Sequence, residues 1–363
     1  MSQRQLFFLS ALAIPAYKIA MLPSFFASIG GRDMWLTVLF PLLLDVLALG
    51  IIFLIKQKVG TLCFSAPAFK YITFGFAIIL ALYFLLQITV FSEETLSYLL
   101  QSFFDEGERL QISIPIIFAS CYLAYKGAKS VGRVCDVLVW FLGFAVLISL
   151  LFNTANFDFS NLKPILDGEK SKKILGGVNG YFWFCDYLPL LFIDIRDKKK
   201  QKFGLVFGGI IVLSLAVSAV FAVFVAQWGE LTASVPNAFA RLSGYNMISA
   251  DVGKVDWIAI LSWLTSCTAK LALLFLGIKG AVSYVFSEKV TNFVLPISGV
   301  LSVLGLVYFI KDIRIAYSVG EFMSVPSLIL GVGVPLILLL FTLFSKKTQE
   351  NNYERLDYEN TQK

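Results

Sequence analysis

"AIPAYKIAMLPSF", residues 13–25, lies inside the first long apolar run of the chain and sets Lys18 between two prolines, Pro15 and Pro23. Hydrocarbon has no water to solvate an ammonium, and a proline inside a helix removes a backbone hydrogen bond. A lipid-facing helix has no use for either feature. The stretch predicts a functional break in a membrane-crossing helix.

The rest of the chain supports that setting. Of 363 residues, 58% are hydrophobic and 15% charged, with a mean hydropathy of +0.80, against about 45–50% apolar and ~25% charged in soluble domains. Apolar runs near the ~20 residues needed to cross ~30 Å of hydrocarbon recur throughout. The expected class is an all-α polytopic membrane protein. Its first run is too long for a signal-peptide core and lacks a small-residue cleavage site, so it is read as a retained helix. The five cysteines form no close-spaced pair and histidine is absent. Neither a disulfide framework nor a metal site is expected, and no cofactor. No phosphate loop or nucleophile–base pair is present, so an enzyme is not expected.

Apolar length places about ten spans, roughly at 5–29, 34–55, 72–100, 112–126, 133–152, 173–195, 204–227, 255–286, 290–310 and 322–344. They make one transmembrane domain over 1–344, followed by a polar tail over 345–363. With the N-terminus inside, inner segments collect Lys56, Lys58, Lys70, Lys126, Lys129, Arg133, the run "RDKKKQK" at 196–202, Lys289, Lys346 and Lys347. Short outer loops hold fewer: Arg32, Arg109, Lys311 and Arg314. This is the positive-inside pattern, and it predicts cytoplasmic termini. The basic run is read as a topology determinant, so the expected partner surface is the lipid bilayer and no nucleic acid. Trp35, Trp228 and Trp257 fall at expected outer boundaries. The two long outer loops, 153–173 and 228–254, are expected to form short helices over the outer mouth, as a lid, a partner surface or plain connectors.

Several spans carry ionisable residues far from their ends: Lys18, Asp45, Asp186, Lys270 and Lys279, with Glu93 and Glu94 nearer the outer side. Each buried charge costs ~2.5–3.5 kcal/mol on insertion scales, so such groups face a cavity or a partner. Lys18 comes 13 positions after Gln5, and Asp186 comes 13 positions after Lys173. Entered from opposite sides, the two meet at one depth. Pro15 precedes Lys18 by three residues and Pro189 follows Asp186 by three. Interrupted helices at corresponding positions of two halves point to a transporter-type binding site between inverted five-helix repeats. Lys18 would then receive a carboxylate and Asp186 an ammonium. A purely structural Lys18–Asp186 ion pair is the alternative. Ser262, Ser266 and Lys270 recur every four residues as a polar stripe on span eight, with Lys270 either a fixed cation of the site or a partner of Asp45. Tyr83, Gln87 and Glu94 form a second stripe, suited to ligand contact or to helix–helix hydrogen bonds.

The order and spacing of further motifs resemble the spore germination permease family, the B subunits of GerA-type nutrient germinant receptors, within the amino acid–polyamine–organocation transporter superfamily. They are "SQRQLFF", Pro23, "GGRDMWL" with Gly31, Asp33 and Trp35, "YKGAKSVGR" with Gly127 and Arg133, "NLKPILDGEKSKKIL" with Pro164 and Gly168, "VPNAFARLSG" and "KVDWIAILSW". The resemblance implies a ten-helix, five-plus-five inverted-repeat (LeuT-like) bundle in the spore inner membrane. It implies a subunit that senses a small nutrient such as an amino acid and works beside A and C subunits. Where the family usually has a small, glycine-containing stretch at the first break, this chain has Pro15-Ala16-Tyr17-Lys18, so Tyr17 and Lys18 occupy space that other members leave for substrate. The expected ligand-binding set is Tyr17, Lys18, Tyr83, Gln87, Asp186, Ser262, Ser266 and Lys270. An amino-acid transporter, proton-coupled or sodium-independent, is the alternative reading, and a ligand-gated ion or water pathway a third.

Overall fold

The computed structural model describes residues 2–13, 15–58, 67–102, 108–166, 170–193, 203–243, 247–249, 253–254, 256–283, 286 and 288–340. Gly168, the basic run 196–202 and the tail 345–363 lie outside the described residues.

The chain begins with three short helices in series, α1 (Gln3–Ala13), α2 (Pro15–Met21) and α3 (Pro23–Gly30). Proline opens α2 and α3, the position where its missing N–H would be unpaired in any case. Long apolar helices follow: α4 (Met34–Lys58), α5 (Pro67–Ser102), α6 (Arg109–Tyr125) and α7 (Ala128–Phe152). The sixth expected span is irregular. A six-residue helix, α8 (Lys170–Leu175), passes into a 3₁₀ segment, Gly176–Trp183; regular structure then stops until a second 3₁₀ segment, Leu188–Phe192. A 3₁₀ run of eight residues is uncommon, and such runs mark hinges or strained sequence. The second half continues with α9 (Phe203–Trp228), α10 (Ala238–Ser243), α11 (Asp256–Ser283), α12 (Glu288–Tyr308), α13 (Ile313–Phe322) and α14 (Ser324–Leu328). From α14 the helix runs through a π turn at Ile329–Gly333 to Leu340. A two-stranded ribbon, β1 (Met247–Ser249) and β2 (Gly253–Lys254), is the β-structure among the described residues.

This is an all-α membrane protein. Five stretches are long and apolar enough to cross a bilayer, 23–57, 74–100, 128–152, 204–234 and 258–283. A sixth arises if α12 and α13, bent by 111°, count as one. Of the other expected spans, the first is divided by Pro15 and Pro23 and the sixth by the irregular stretch 184–187, while those at Arg109–Tyr125 and Ser324–Leu340 are shorter apolar helices. Exposed apolar side chains belt the outside; Phe118, Trp140, Val212 and Phe293 are each 66–69% exposed, as lipid-facing residues are.

At the centre, α11 packs against α5, α6, α7 and α12, while α4 packs against α9 and the 3₁₀ segment of the sixth span. Glycine makes that last approach possible. A Cβ on Gly177 would stand 2.2 Å from the Thr37 carbonyl oxygen of α4, so no larger residue fits without moving backbone.

Candidate functional site

α2 and the interrupted sixth span bring the two predicted charges into contact. Lys18 Nζ donates to Asp186 Oδ2, with the side chains 0% and 1% exposed. From α11, Lys270 Nζ lies 2.6 Å from Asp186 Oδ1, off the axis that a hydrogen bond requires. One carboxylate therefore bridges two ammoniums. The expected alternative of a Lys270–Asp45 pair is replaced by this arrangement, because Asp186 sits where the sixth span is not helical and reaches both lysines.

Asp45, on α4, has another partner. Loss of helix at 184–187 frees the Asp186 N–H, which is shared between Phe184 O at 2.6 Å and Asp45 Oδ1 at 3.3 Å. Asp45 Oδ2 has no hydrogen-bond partner among the described residues. The two lysines and two aspartates form a net-neutral cluster, all of them buried. Burying such charges is tolerable only when each is answered nearby.

Aromatic rings wall the cluster. Lys18 Nζ is 4.8 Å from the Phe184 ring centroid, and Lys270 Nζ is 5.2 Å from that of Tyr17 and 4.5 Å from that of Phe91. These are cation–π distances. Tyr17 stacks on Phe91 at 4.7 Å, and its hydroxyl is 2.9 Å from Thr95 Oγ1 on α5.

The other expected site residues divide. Tyr83 donates to Ser327 Oγ at 2.8 Å, and Gln87 Nε2 donates to Tyr83 and to the Phe182 carbonyl, each at 3.1 Å. That network ties α5 to the sixth span and to α14 and does not touch the lysines. Ser266 donates to Ser262 O at 2.6 Å and Ser262 to Ile258 O at 2.7 Å. Both hydroxyls satisfy their own helix, and of the α11 stripe only Lys270 reaches the charges.

Three features were hidden in the sequence. Glu94, fully buried on α5, accepts the indole N–H of Trp183 at 2.5 Å, a partner from the sixth span that spacing along one helix does not disclose. Glu93 beside it pairs with Arg109, an expected outer-loop charge that reaches inward from the start of α6. Lys56, also read as a loop charge, is 2% exposed and donates to the carbonyls of Leu191 and Ile193, each at 2.8 Å. It satisfies the end of the second 3₁₀ segment, where carbonyls lack intrahelical donors.

Above the cluster, Trp183, Phe25 and Tyr317 pack ring to ring, with centroids 5.1 and 5.8 Å from Trp183. Outside them, the 153–173 loop is fastened to the α3–α4 junction. Arg32 donates to Lys163 O at 2.6 Å, and Asp33 accepts from Leu166 N at 2.8 Å and Lys173 Nζ at 3.0 Å.

Residues 1–312 match the model of the spore permease family, described as spore germination protein. The chain belongs to the spore permease family. Spore germination protein XB of Bacillus anthracis is 23% identical to it over 329 residues, a stretch covering 87% of this chain and 90% of that protein. The match to the family includes α2, the interrupted sixth span and α11, so the charged cluster lies within it. This spore permease family member is a multi-pass, germination-related membrane protein, and its family is not a known enzyme class.

Proposed function

We propose that this chain is the B subunit of a nutrient germinant receptor. It would sense a small nutrient, an amino acid or a close analogue, at the Lys18–Asp186–Lys270 cluster, and pass the change to A and C partner subunits in the spore inner membrane with both termini cytoplasmic. One observation carries the reading. Two interrupted crossings, the first and the sixth, contribute the two halves of a buried ion pair, and a third crossing adds its second cation. Two buried lysines on one carboxylate are held together by little besides charge. A ligand bringing its own charges competes directly for those contacts.

Family and geometry together support five-plus-five inverted repeats, with α1–α3 and the sixth span as counterparts. Tyr17, Lys18, Asp186 and Lys270 then line the ligand site. Tyr83 and Gln87 tie the surrounding helices together, while Ser262 and Ser266 bond within their own helix. A ligand shifts such a bundle only by binding its two states unequally, and the fully buried cluster is the closed one.

Three experiments test this. The chain should copurify with two companion receptor subunits from spore membranes, and spores lacking it should lose response to the nutrient. Purified alone in liposomes, it should not accumulate amino acids. Fast, saturable uptake without partners would replace the receptor reading by the transporter one.

A further inference from the structure

With Lys56 set aside, counting the charges of the described core residues leaves one negative charge over. Lys18 and Lys270 both pair with Asp186 and lie within electrostatic reach of Asp45, and Arg109 pairs with Glu93. Lys56 serves carbonyls at the far end of the sixth span. Two of these carboxylates have only neutral donors: Asp45, which accepts the Asp186 N–H beside the two lysines, and Glu94, which accepts the Trp183 indole on Oε1; Glu94 Oε2 has no hydrogen-bond partner among the described residues. Lys270 is within electrostatic reach of it, but its contact is with Asp186. A carboxylate accepts about four hydrogen bonds, and a buried one needs a cation or a proton.

We infer that Glu94 receives the cationic amine of the ligand, and that the Trp183 indole holds that place in the closed state. The inference rests on the reading of the central cluster as a ligand site. It moves the ammonium from Asp186, which two lysines already occupy, to Glu94, which has no ion pair among the described residues and, unlike Asp45, has one of the two lysines near it rather than both. The ligand class follows: small molecules bearing a protonated primary amine.

Packing around Trp183 explains how occupancy becomes a signal. A Cβ on Gly320 of α13 would stand 2.5 Å from the indole ring, so the ring is tightly confined between Phe25, Tyr317 and the α13 backbone. An amine takes both oxygens of Glu94 only when the indole gives up Oε1, and the confined indole moves only when the sixth span and α13 separate. The amine thus binds the open arrangement far better than the closed one, which is what a switch requires.

The test uses the full chain in lipid nanodiscs and calorimetric titration with the twenty amino acids, each beside its deaminated acid. Wild type should bind at least one amino acid and reject its deaminated partner. Glu94→Gln, which keeps an acceptor for the indole, should weaken that binding about 30-fold or more, equivalent to about 2 kcal/mol at ~1.4 kcal/mol per tenfold. Glu94→Asp, keeping the charge, should recover part of the loss. Equal binding by wild type and Glu94→Gln, or equal binding of an amino acid and its deaminated acid, would overturn the inference and leave the central site standing. Binding by none of the panel would overturn the site reading itself and the inference with it.

Discussion

Replacing Asp186 by asparagine leaves two buried ammoniums facing a neutral amide. Lys18 and Lys270 approach opposite oxygens of one carboxylate, an arrangement that keeps two like charges within roughly 7 Å of each other. At an effective dielectric constant near 20, their mutual repulsion is about 2.5–3.5 kcal/mol. In the wild type it is outweighed by two attractions at shorter range. Removing one partner of a buried pair costs about 3–5 kcal/mol, and here one substitution strips two pairs at once. Asp186→Asn should therefore lower stability by about 3–5 kcal/mol. Lys18→Met removes the repulsion along with one attraction and keeps the Lys270–Asp186 pair, so it should cost clearly less. The Asp186→Asn/Lys18→Met double variant should be more stable than the two single losses sum to, by about 1–3 kcal/mol of coupling. Reversible unfolding of the purified chain in mixed micelles measures all three. If Asp186→Asn costs no more than Lys18→Met, or the two losses simply add, the bridging carboxylate is not what holds these crossings together.

Lys56→Met removes a charged donor from two carbonyls; at about 1.5–3 kcal/mol for a bond to a charged group, it should speed proteolysis or hydrogen exchange near Leu191 and Ile193, whereas Lys56→Arg should preserve protection. Gly177→Ala forces a Cβ against the Thr37 carbonyl and should reduce membrane abundance severely; Gly143→Ala, with nothing within 4 Å of its Cβ, should leave abundance unchanged on an immunoblot of membranes. Arg109→Ala leaves Glu93 buried without its cation and should lower thermal stability, and adding Glu93→Gln should restore most of the loss.

The helical plan was legible because membrane spans are written in composition. Runs of about 20 apolar residues have no soluble alternative, and eight of the expected spans overlay a single helix to within a few residues. The interrupted spans were legible for a different reason. Lys18 and Asp186 are too costly in lipid to be there by chance, and prolines beside them mark where helical bonding stops. Contacts between helices were not legible. Lys270 takes Asp186 and not Asp45 because the irregular stretch 184–187 turns that carboxylate toward α11, a direction that a one-dimensional spacing does not carry. Lys56 and Arg109 sit at span ends, where a sequence gives the same signal for a solvated loop charge and for a side chain turned inward. The indole of Trp183 on Glu94 joins two spans 89 residues apart.

Binding of a radiolabelled amino-acid panel to the purified chain in nanodiscs tests the central claim most directly, with wild type, Lys18→Met and Lys270→Met compared at matched folded amounts. The account predicts saturable binding of at least one amino acid to wild type and its loss in both lysine variants. Undiminished binding by both variants would show that the ligand is held somewhere other than the charged meeting point of the first, sixth and eighth crossings.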